Sequence, residues 1–391
     1  MVLRGRRPLV HATIHQRGRA ARGARRVPLP GARVAHRSRP AGGSMTIVAL
    51  DAMGGDHAPK VTVQGALIAA RDPGLELILV GRGAELRGLM PAAPPNLRIE
   101  EASQAVGMGD APVASIRQKP ESSIMVGLEL LKRGRADAFV SFGNTGAVMA
   151  ASLVKLGRVP GVDRPALGAP FRNGRGSRTL LLDVGANVDC RPAYLLQFAT
   201  MGKAYLERVL HHRNPSVGLL NVGEEQGKGN QFIQDAYELL ERDEPNFIGN
   251  VEGNALLAGA ADVVVTDGFD GNIAVKVSEG TSTLFSGALR RIIASKPYYA
   301  LGAWLLRGAF KALRDEMDFR KTGGAPLFGV NGAVIIGHGR ADPETVAAGI
   351  RAARTAAESE FVAAIRSALA VSAVAKRGDA SPARTEAVAA E

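Results

Sequence analysis

The chain has 391 residues, 46% of them hydrophobic, enough to fill a core in one large domain or two. Its formal net charge is +12, yet residues 1–44 hold eleven arginines with no lysine and no acid, leaving 38 basic residues against 37 acidic ones from Met45 onward. So balanced a folded part removes the main support for a nucleic-acid function, and a single cysteine, Cys190, excludes an intrachain disulfide.

Residues 1–44 are rich in Arg, Gly, Pro and Ala and show no apolar periodicity, which predicts a disordered extension. It has the acid-free character of an organelle leader. Alternatively, Met45 is the natural start. No uncharged apolar run reaches the roughly 18 residues that a membrane span needs.

The first ordered element is the run TIVAL, 46–50, followed by DAMGGDHAPK, 51–60. A β-branched apolar run closed by Asp and then Gly-Gly predicts a buried strand opening into a tight loop, the place where open α/β sheets bind ligands. Gly54 and Gly55 permit positive φ and close approach of backbone N–H groups, while His57 and Lys60 add donors that can carry positive charge; the set suits phosphate. The bland alternative is an ordinary strand-to-helix turn capped by Asp56.

Further apolar runs follow at 76–80, 138–142, 179–184, 217–222, 261–267 and 333–337, with helical patterns between most of them, as at 60–71 and 122–134. This alternation predicts an α/β fold: a largely parallel sheet covered on both faces, Rossmann-like in its α/β/α layering. Glycine stands beside a polar group after each run, as in Gly143-Asn144, Gly185-Ala-Asn187, Gly223-Glu224 and Gly337-His338-Gly339. Parallel strands would gather these ends into a single cleft.

Between the second and third runs, Arg117, Lys119, Ser122 and Ser123 precede a helix. They form either an anion site or a simple cap. Asn144, Asn187, Asn221, Asn230, Asn250 and Asn272 are turn formers or neutral oxyanion donors. Cys190 has no activating histidine beside it in sequence and reads as structural. No nucleotide fingerprint is complete: the segment 77–86 lacks a third glycine, and 223–230 lacks the Ser or Thr of a P-loop. No ligand spacing indicates a metal, and no cofactor is expected.

The segment 284–319 is amphipathic. Leu306, Phe310, Leu313 and Met317 form one stripe flanked by Arg307, Lys311 and Arg314, with Tyr298, Tyr299 and Trp304 at the approach. Such a helix suits a membrane surface or, equally, a dimer or core contact. A last helix is expected from Asp342 as N-cap with Pro343 in its first turn, carrying Val346, Ile350, Ala353, Ala357, Phe361 and Ile365 on one face. The expected domain is therefore 45–371, with a disordered tail at 372–391.

The strings IVALDAMGGDHAP (47–59), SFGNTGAVMA (141–150), PGVDRPAL (160–167), DVGANVDCRP (183–192), VGLLNVGEEQGKGN (217–230), FIGNVEG (247–253), DVVVTDGFDGN (262–272) and GGAPLFGVNG (323–332) resemble the bacterial phosphate acyltransferases of the PlsX family. The resemblance runs from Met45 to about Leu369. The loop QKPESS replaces a more lysine-rich segment, and VEGNAL lacks the usual Arg-Asp after its glycine. The resemblance implies a fold similar to phosphotransacetylases and to isocitrate and isopropylmalate dehydrogenases. It also implies transfer of a long fatty acyl group from acyl carrier protein to inorganic phosphate, for phospholipid synthesis. Homodimerisation is implied as well, with work at the cytoplasmic face of the membrane beside an integral glycerol-3-phosphate acyltransferase.

On this basis phosphate is expected at Gly54-Gly55 with His57 and Lys60, assisted by Arg117, Lys119, Ser122 and Ser123. Asn144, Asn187 and Lys228 become oxyanion or orienting donors, positioned by Asp51 and Asp183. A short-chain phosphotransacetylase acting on acyl-CoA and a non-catalytic scaffold for lipid synthesis are the alternative functions.

Overall fold

The computed structural model describes residues 45–311 and 323–379, with side chains to Val371. The 1–44 extension, Leu313, Arg314, Met317 and the end of the tail lie outside the described residues.

Eleven strands form one sheet among the described residues: β1 (Thr46–Asp51), β2 (Leu75–Gly81), β3 (Leu97–Glu101), β4 (Ala138–Ser141), β5 (Ala166–Arg172), β6 (Arg178–Leu182), β7 (Val217–Leu220), β8 (Phe247–Val251), β9 (Val263–Val265), β10 (Ala325–Phe328) and β11 (Ala333–Ile336). The helices that position the site are α1 (Lys60–Ala69), α3 (Pro112–Gln118), α4 (Ser123–Lys132), α5 (Thr145–Lys155), α6 (Pro192–Val209), α9 (Gly268–Ala294), α10 (Pro297–Leu305), α11 (Pro343–Glu358) and α12 (Phe361–Asp379); α2, α7 and α8 are Gly83–Leu89, Gln231–Asp243 and Gly253–Ala258.

Successive strand side chains alternate between two apolar clusters. Val48 and Leu50 pack with Val63, Phe198 and Val346, whereas Ala49 packs with Ile124, Leu128 and Phe139. Both faces are therefore helix-covered, which is the α/β/α architecture that unbroken apolar strands require.

The order β3-β2-β1-β4-β11-β10-β5-β6-β9-β7-β8 hides a reversal. The strands β3, β2, β1, β4 and β11 are mutually parallel, as are β6, β9, β7 and β8. Antiparallel pairings of β11 with β10, β10 with β5 and β5 with β6 turn the second set against the first. The expected single cleft is thus corrected. The carboxyl ends of β1, β4 and β11 open on one rim of the sheet, and those of β6, β7 and β9 open on the opposite rim.

One of these three pairings is the hairpin after β5. Asn173 accepts hydrogen bonds from the N–H groups of Arg175 and Ser177 and donates to Thr179 Oγ1. Asn-Gly between apolar runs is a strong hairpin signal. It stands in the sequence as Asn173-Gly174.

At the far end of the chain, Asp342 caps α11 through Thr345 N–H at 2.8 Å with Pro343 in the first turn, as the composition predicts. The helix does not continue unbroken: the chain turns at Glu360, with φ of 52°, and restarts as α12, which runs to Asp379. Ile350, Phe361 and Ile365 are buried all the same.

Candidate active site

On the first rim, everything is built on Asp51. Its carboxylate is 1% exposed and accepts from Ser141 Oγ at 2.7 Å and from Met53 N–H at 3.1 Å. Burial pushes this carboxyl above its usual range, and the donors oppose that shift only in part. Ser141 Oγ accepts in turn from Gly143 N–H at 3.1 Å, so one carboxylate ties the β1 loop to the β4 loop. A Cβ at Gly54 would stand 2.3 Å from Asp51 Oδ2 and 2.8 Å from Gly143 N, and Gly55 adopts φ of 121°. Both glycines are required where they stand.

The loop is roofed by the turn after β11, because Asp56 N–H donates to Gly339 O at 2.8 Å. Asp56 does not cap α1, whose N-cap is Pro59; it lies 3.9 Å from Arg340. His57 and Lys60 are exposed on this rim, and neither side chain has a hydrogen-bond or ion-pair partner among the described residues. Arg117 is likewise exposed and unpaired there. Lys119 is held instead by Asp110 at 2.6 Å and Ala105 O at 3.0 Å. Ser122 and Ser123 are fully buried at the start of α4, beneath the loop. Ser123 faces Asp51 without a well-formed hydrogen bond. Asn144 caps α5 by accepting from Ala147 N–H, and its amide donates to Met108 O and Asp110 O.

The opposite rim is organised by Asp183, which is fully buried. Its Oδ1 accepts from the N–H groups of Leu167, Gly185 and Ala186, and its Oδ2 from Asn187 N–H at 2.7 Å and Asn187 Nδ2 at 2.9 Å. Burial raises this carboxyl too. The Asn187 amide also donates to Pro165 O at 2.8 Å, so both Asn144 and Asn187 spend their N–H donors within the protein. Lys228, in the loop after β7, is about half exposed and 3.9 Å from Glu225. Burial, then the charges of Asp183 and Asp267, push the Cys190 thiol up to about 12. It stays protonated at neutral pH, which suits a structural cysteine.

The thirteen catalytic and phosphate-binding candidates therefore fall into two groups: Asp51, Gly54, Gly55, His57, Lys60, Arg117, Lys119, Ser122, Ser123 and Asn144 lie toward the first rim, and Asp183, Asn187 and Lys228 on the second. Five strand spacings separate β1 from β6, about 24 Å at ~4.8 Å each. One element joins them. Helix α9 starts beside Asp183, where Asp267 caps it, and carries Lys276 to within 3.3 Å of His338 Nε2 in the β11 turn. Sequence reasoning gave no role to Lys276, His338 or Arg340. The signal was the Gly-His-Gly-Arg string after an apolar run, but α9's reach is a tertiary fact.

In the amphipathic segment, α10 has no buried residue. That removes core packing as its explanation. The helix breaks at Leu306, and residues 307–311 are helical again. Tyr298, Leu301, Trp304, Leu305 and Leu306 are all well exposed, Phe310 is half-buried and Lys311 exposed; Arg307 stacks over the Trp304 ring at 5.1 Å. Among the described residues no helix is long and apolar enough to cross a membrane.

Over residues 46–364 the chain matches the family described as Fatty acid synthesis protein. A phosphate acyltransferase from Desulfitobacterium hafniense is 45% identical over 325 residues, covering 82% of this chain and 97% of its own. One from Salinibacter ruber is 46% identical over 328 residues, with the same coverage of 82% and 97%. Among solved structures, a phosphotransacetylase from Streptococcus pyogenes is similar with a TM-score of 0.52 at 16% identity, covering 80% of this chain and 94% of its own. A branched-chain phosphotransacylase from Enterococcus faecalis gives 0.51 at 14%, covering 80% and 99%. At these identities the likeness carries the fold alone.

Proposed function

This chain belongs to the Fatty acid synthesis protein family and is an acyltransferase; from that premise we propose that it transfers a long-chain fatty acyl group from acyl carrier protein to inorganic phosphate. A phosphate oxygen attacks the thioester carbonyl, the C–S bond breaks, the acyl phosphate departs and the carrier thiolate takes up a proton. Phosphate is an adequate nucleophile near neutral pH, so the protein's work is holding a dianion near the acyl carbon and stabilising the developing oxyanion. No catalytic triad is needed.

The observation that carries this reading is the loop on Asp51, with two glycines that cannot be replaced and two hydrogen-bond donors able to carry positive charge, His57 and Lys60, left without partners among the described residues. Arg117 is a free cation for the same anion, whereas Lys119 already neutralises Asp110. With their amide hydrogens spent, Asn144 and Asn187 suit orienting roles, and Lys228 is the more available donor. The exposed aromatics of α10 fit a peripheral contact with the cytoplasmic membrane face, near an integral glycerol-3-phosphate acyltransferase, or a second copy of this chain in a homodimer.

Lys60→Ala and His57→Ala are each expected to raise the phosphate KM and to slow turnover by roughly a hundredfold or more. Steady-state kinetics with acyl carrier protein and CoA thioesters of several chain lengths checks this and the donor class together. Normal rates and a normal phosphate KM in both variants would overturn the phosphate placement; preference for short acyl-CoA would overturn the donor.

A further inference from the structure

Attack of phosphate on a thioester builds charge on the carbonyl oxygen, so the rim that holds the phosphate needs donors aimed at that oxygen too. Asn144 shares the first rim, but its amide donates to Met108 O and Asp110 O. Asn187 and the freer Lys228 stand on the opposite rim. So do Arg158, Arg164 and Arg191, which wall a cavity beside the start of β5 and are too far from a carbonyl placed over the Gly54-Gly55 loop. The first rim holds one further pair of side chains whose donors converge, Lys276 and His338.

Lys276 Nζ stands 3.3 Å from His338 Nε2. The other ring nitrogen, Nδ1, accepts from Arg340 N–H at 3.2 Å, and in the neutral imidazole that puts the ring proton on Nε2. An ammonium has no lone pair with which to accept. Two donors therefore face each other with no acceptor between them, an arrangement that an oxygen anion shared by both would satisfy. Glu279 Oε2, at 3.0 Å, accepts one of the three Lys276 protons, which orients the ammonium and leaves donors to spare.

The pair also adjoins the phosphate loop. His338 precedes Gly339, whose carbonyl oxygen accepts from Asp56 N–H at 2.8 Å and would lie 3.3 Å from a Cβ on Gly55. We propose that Lys276 Nζ and His338 Nε2 together donate to the carbonyl oxygen of the thioester as it becomes an oxyanion. While the bond from phosphate oxygen to carbon forms, the carbonyl π pair moves onto that oxygen and is held by the two donors. It returns when the C–S bond breaks and the thiolate leaves. The assignment rests on the reading that phosphate attacks a thioester on this rim. It makes α9, capped by Asp267 beside Asp183, the element that delivers a catalytic residue across the sheet.

The test is steady-state kinetics of the full chain as wild type, Lys276→Ala, Lys276→Arg, His338→Ala and His338→Gln. Phosphate is varied, and the acyl carrier protein or CoA thioester that wild type turns over best is held at saturation. Circular dichroism melts confirm that each variant is folded. Each alanine variant is expected to lose roughly a hundredfold or more in kcat while the phosphate KM holds, because the oxygen they serve is charged only in the transition state. Arg at 276, and Gln at 338 with its amide near the Nε2 position, are expected to recover roughly tenfold, the worth of one restored hydrogen bond.

An undiminished kcat in either alanine variant overturns the proposal. So does a loss that falls on the phosphate KM instead of kcat, which would make the pair a ground-state phosphate site. A loss that neither donor-keeping variant recovers makes the contact a structural one and overturns it as well. Should an alanine variant unfold, Lys276→Met or His338→Phe takes its place, keeping bulk without the donor, and the same kcat loss is required of it. A wild type that transfers no acyl group to phosphate refutes the functional reading and this assignment together. A wild type that does so, with variants of undiminished kcat, refutes this assignment alone.

Discussion

Two buried aspartates, Asp51 and Asp183, end strands on opposite rims of one sheet, yet they are held differently. Asp51 has two donors, one of them a side chain from a neighbouring strand, and its loop presents His57 and Lys60 to solvent without partners among the described residues. Asp183 has five donor contacts, four of them from backbone N–H groups, and the first turn of α9 is packed against it so closely that a Cβ at Gly271 would stand 1.9 Å from its carbonyl oxygen. The difference teaches that the same residue in the same topological place can anchor a binding loop or staple two halves of a fold.

Removing the staple should cost most. Asp183→Ala leaves five donor contacts without their acceptor and is expected to destabilise by roughly 3–5 kcal/mol, or to prevent folding. Asp51→Ala should cost about 2–3 kcal/mol, two donors being orphaned, and should also weaken phosphate binding. Urea unfolding of both variants checks the order; a costlier Asp51 variant would dissolve the contrast.

The pH dependence sharpens it. Both carboxyls titrate above the ordinary value of 3.8 in the folded chain because burial disfavours the charge. A raised carboxyl contributes stability that is complete below that value and is lost as pH rises through the folded pKa. The deficit of Asp51→Asn relative to wild type should therefore shrink as pH increases from about 4, and likewise for Asp183→Asn. Melting temperatures across pH 4–8 measure this, and a deficit that widens with pH would contradict the sign.

The smallest effect uses Cys190 as a reporter. Its thiol is raised partly by the Asp183 charge, so Asp183→Asn should quicken its alkylation at pH 8 several-fold while Asp51→Asn leaves the rate alone. Equal acceleration in both would mean that access, not charge, governs the thiol.

How much of this was legible in the residues varies by element. The apolar runs that became β1, β2, β4, β6, β7, β9 and β11 were readable because a strand buried on both faces cannot tolerate polar side chains. The strands β3, β5, β8 and β10 passed unread: ALGAPFR, FIGNV and APLF carry Gly, Pro or Asn, and LRIEE is half charged. The Gly54-Gly55 loop announced itself, since close approach to Asp51 and Gly143 leaves room only for glycine. Arg158, Arg164 and Arg191 did not, being scattered over two connections, the first two between α5 and β5 and the third between β6 and α6.

The amino-acid order alone settles that seven apolar runs are strands, that Asp51 and Asp183 close two of them, and that glycines follow, because burial and turn sterics act locally. Strand direction is not local. An apolar run reads the same pointing either way, so only the three antiparallel pairings from β11 to β6, once folded, decide that the carboxyl ends part to two rims and that α9 must cross between them to set Lys276 beside His338.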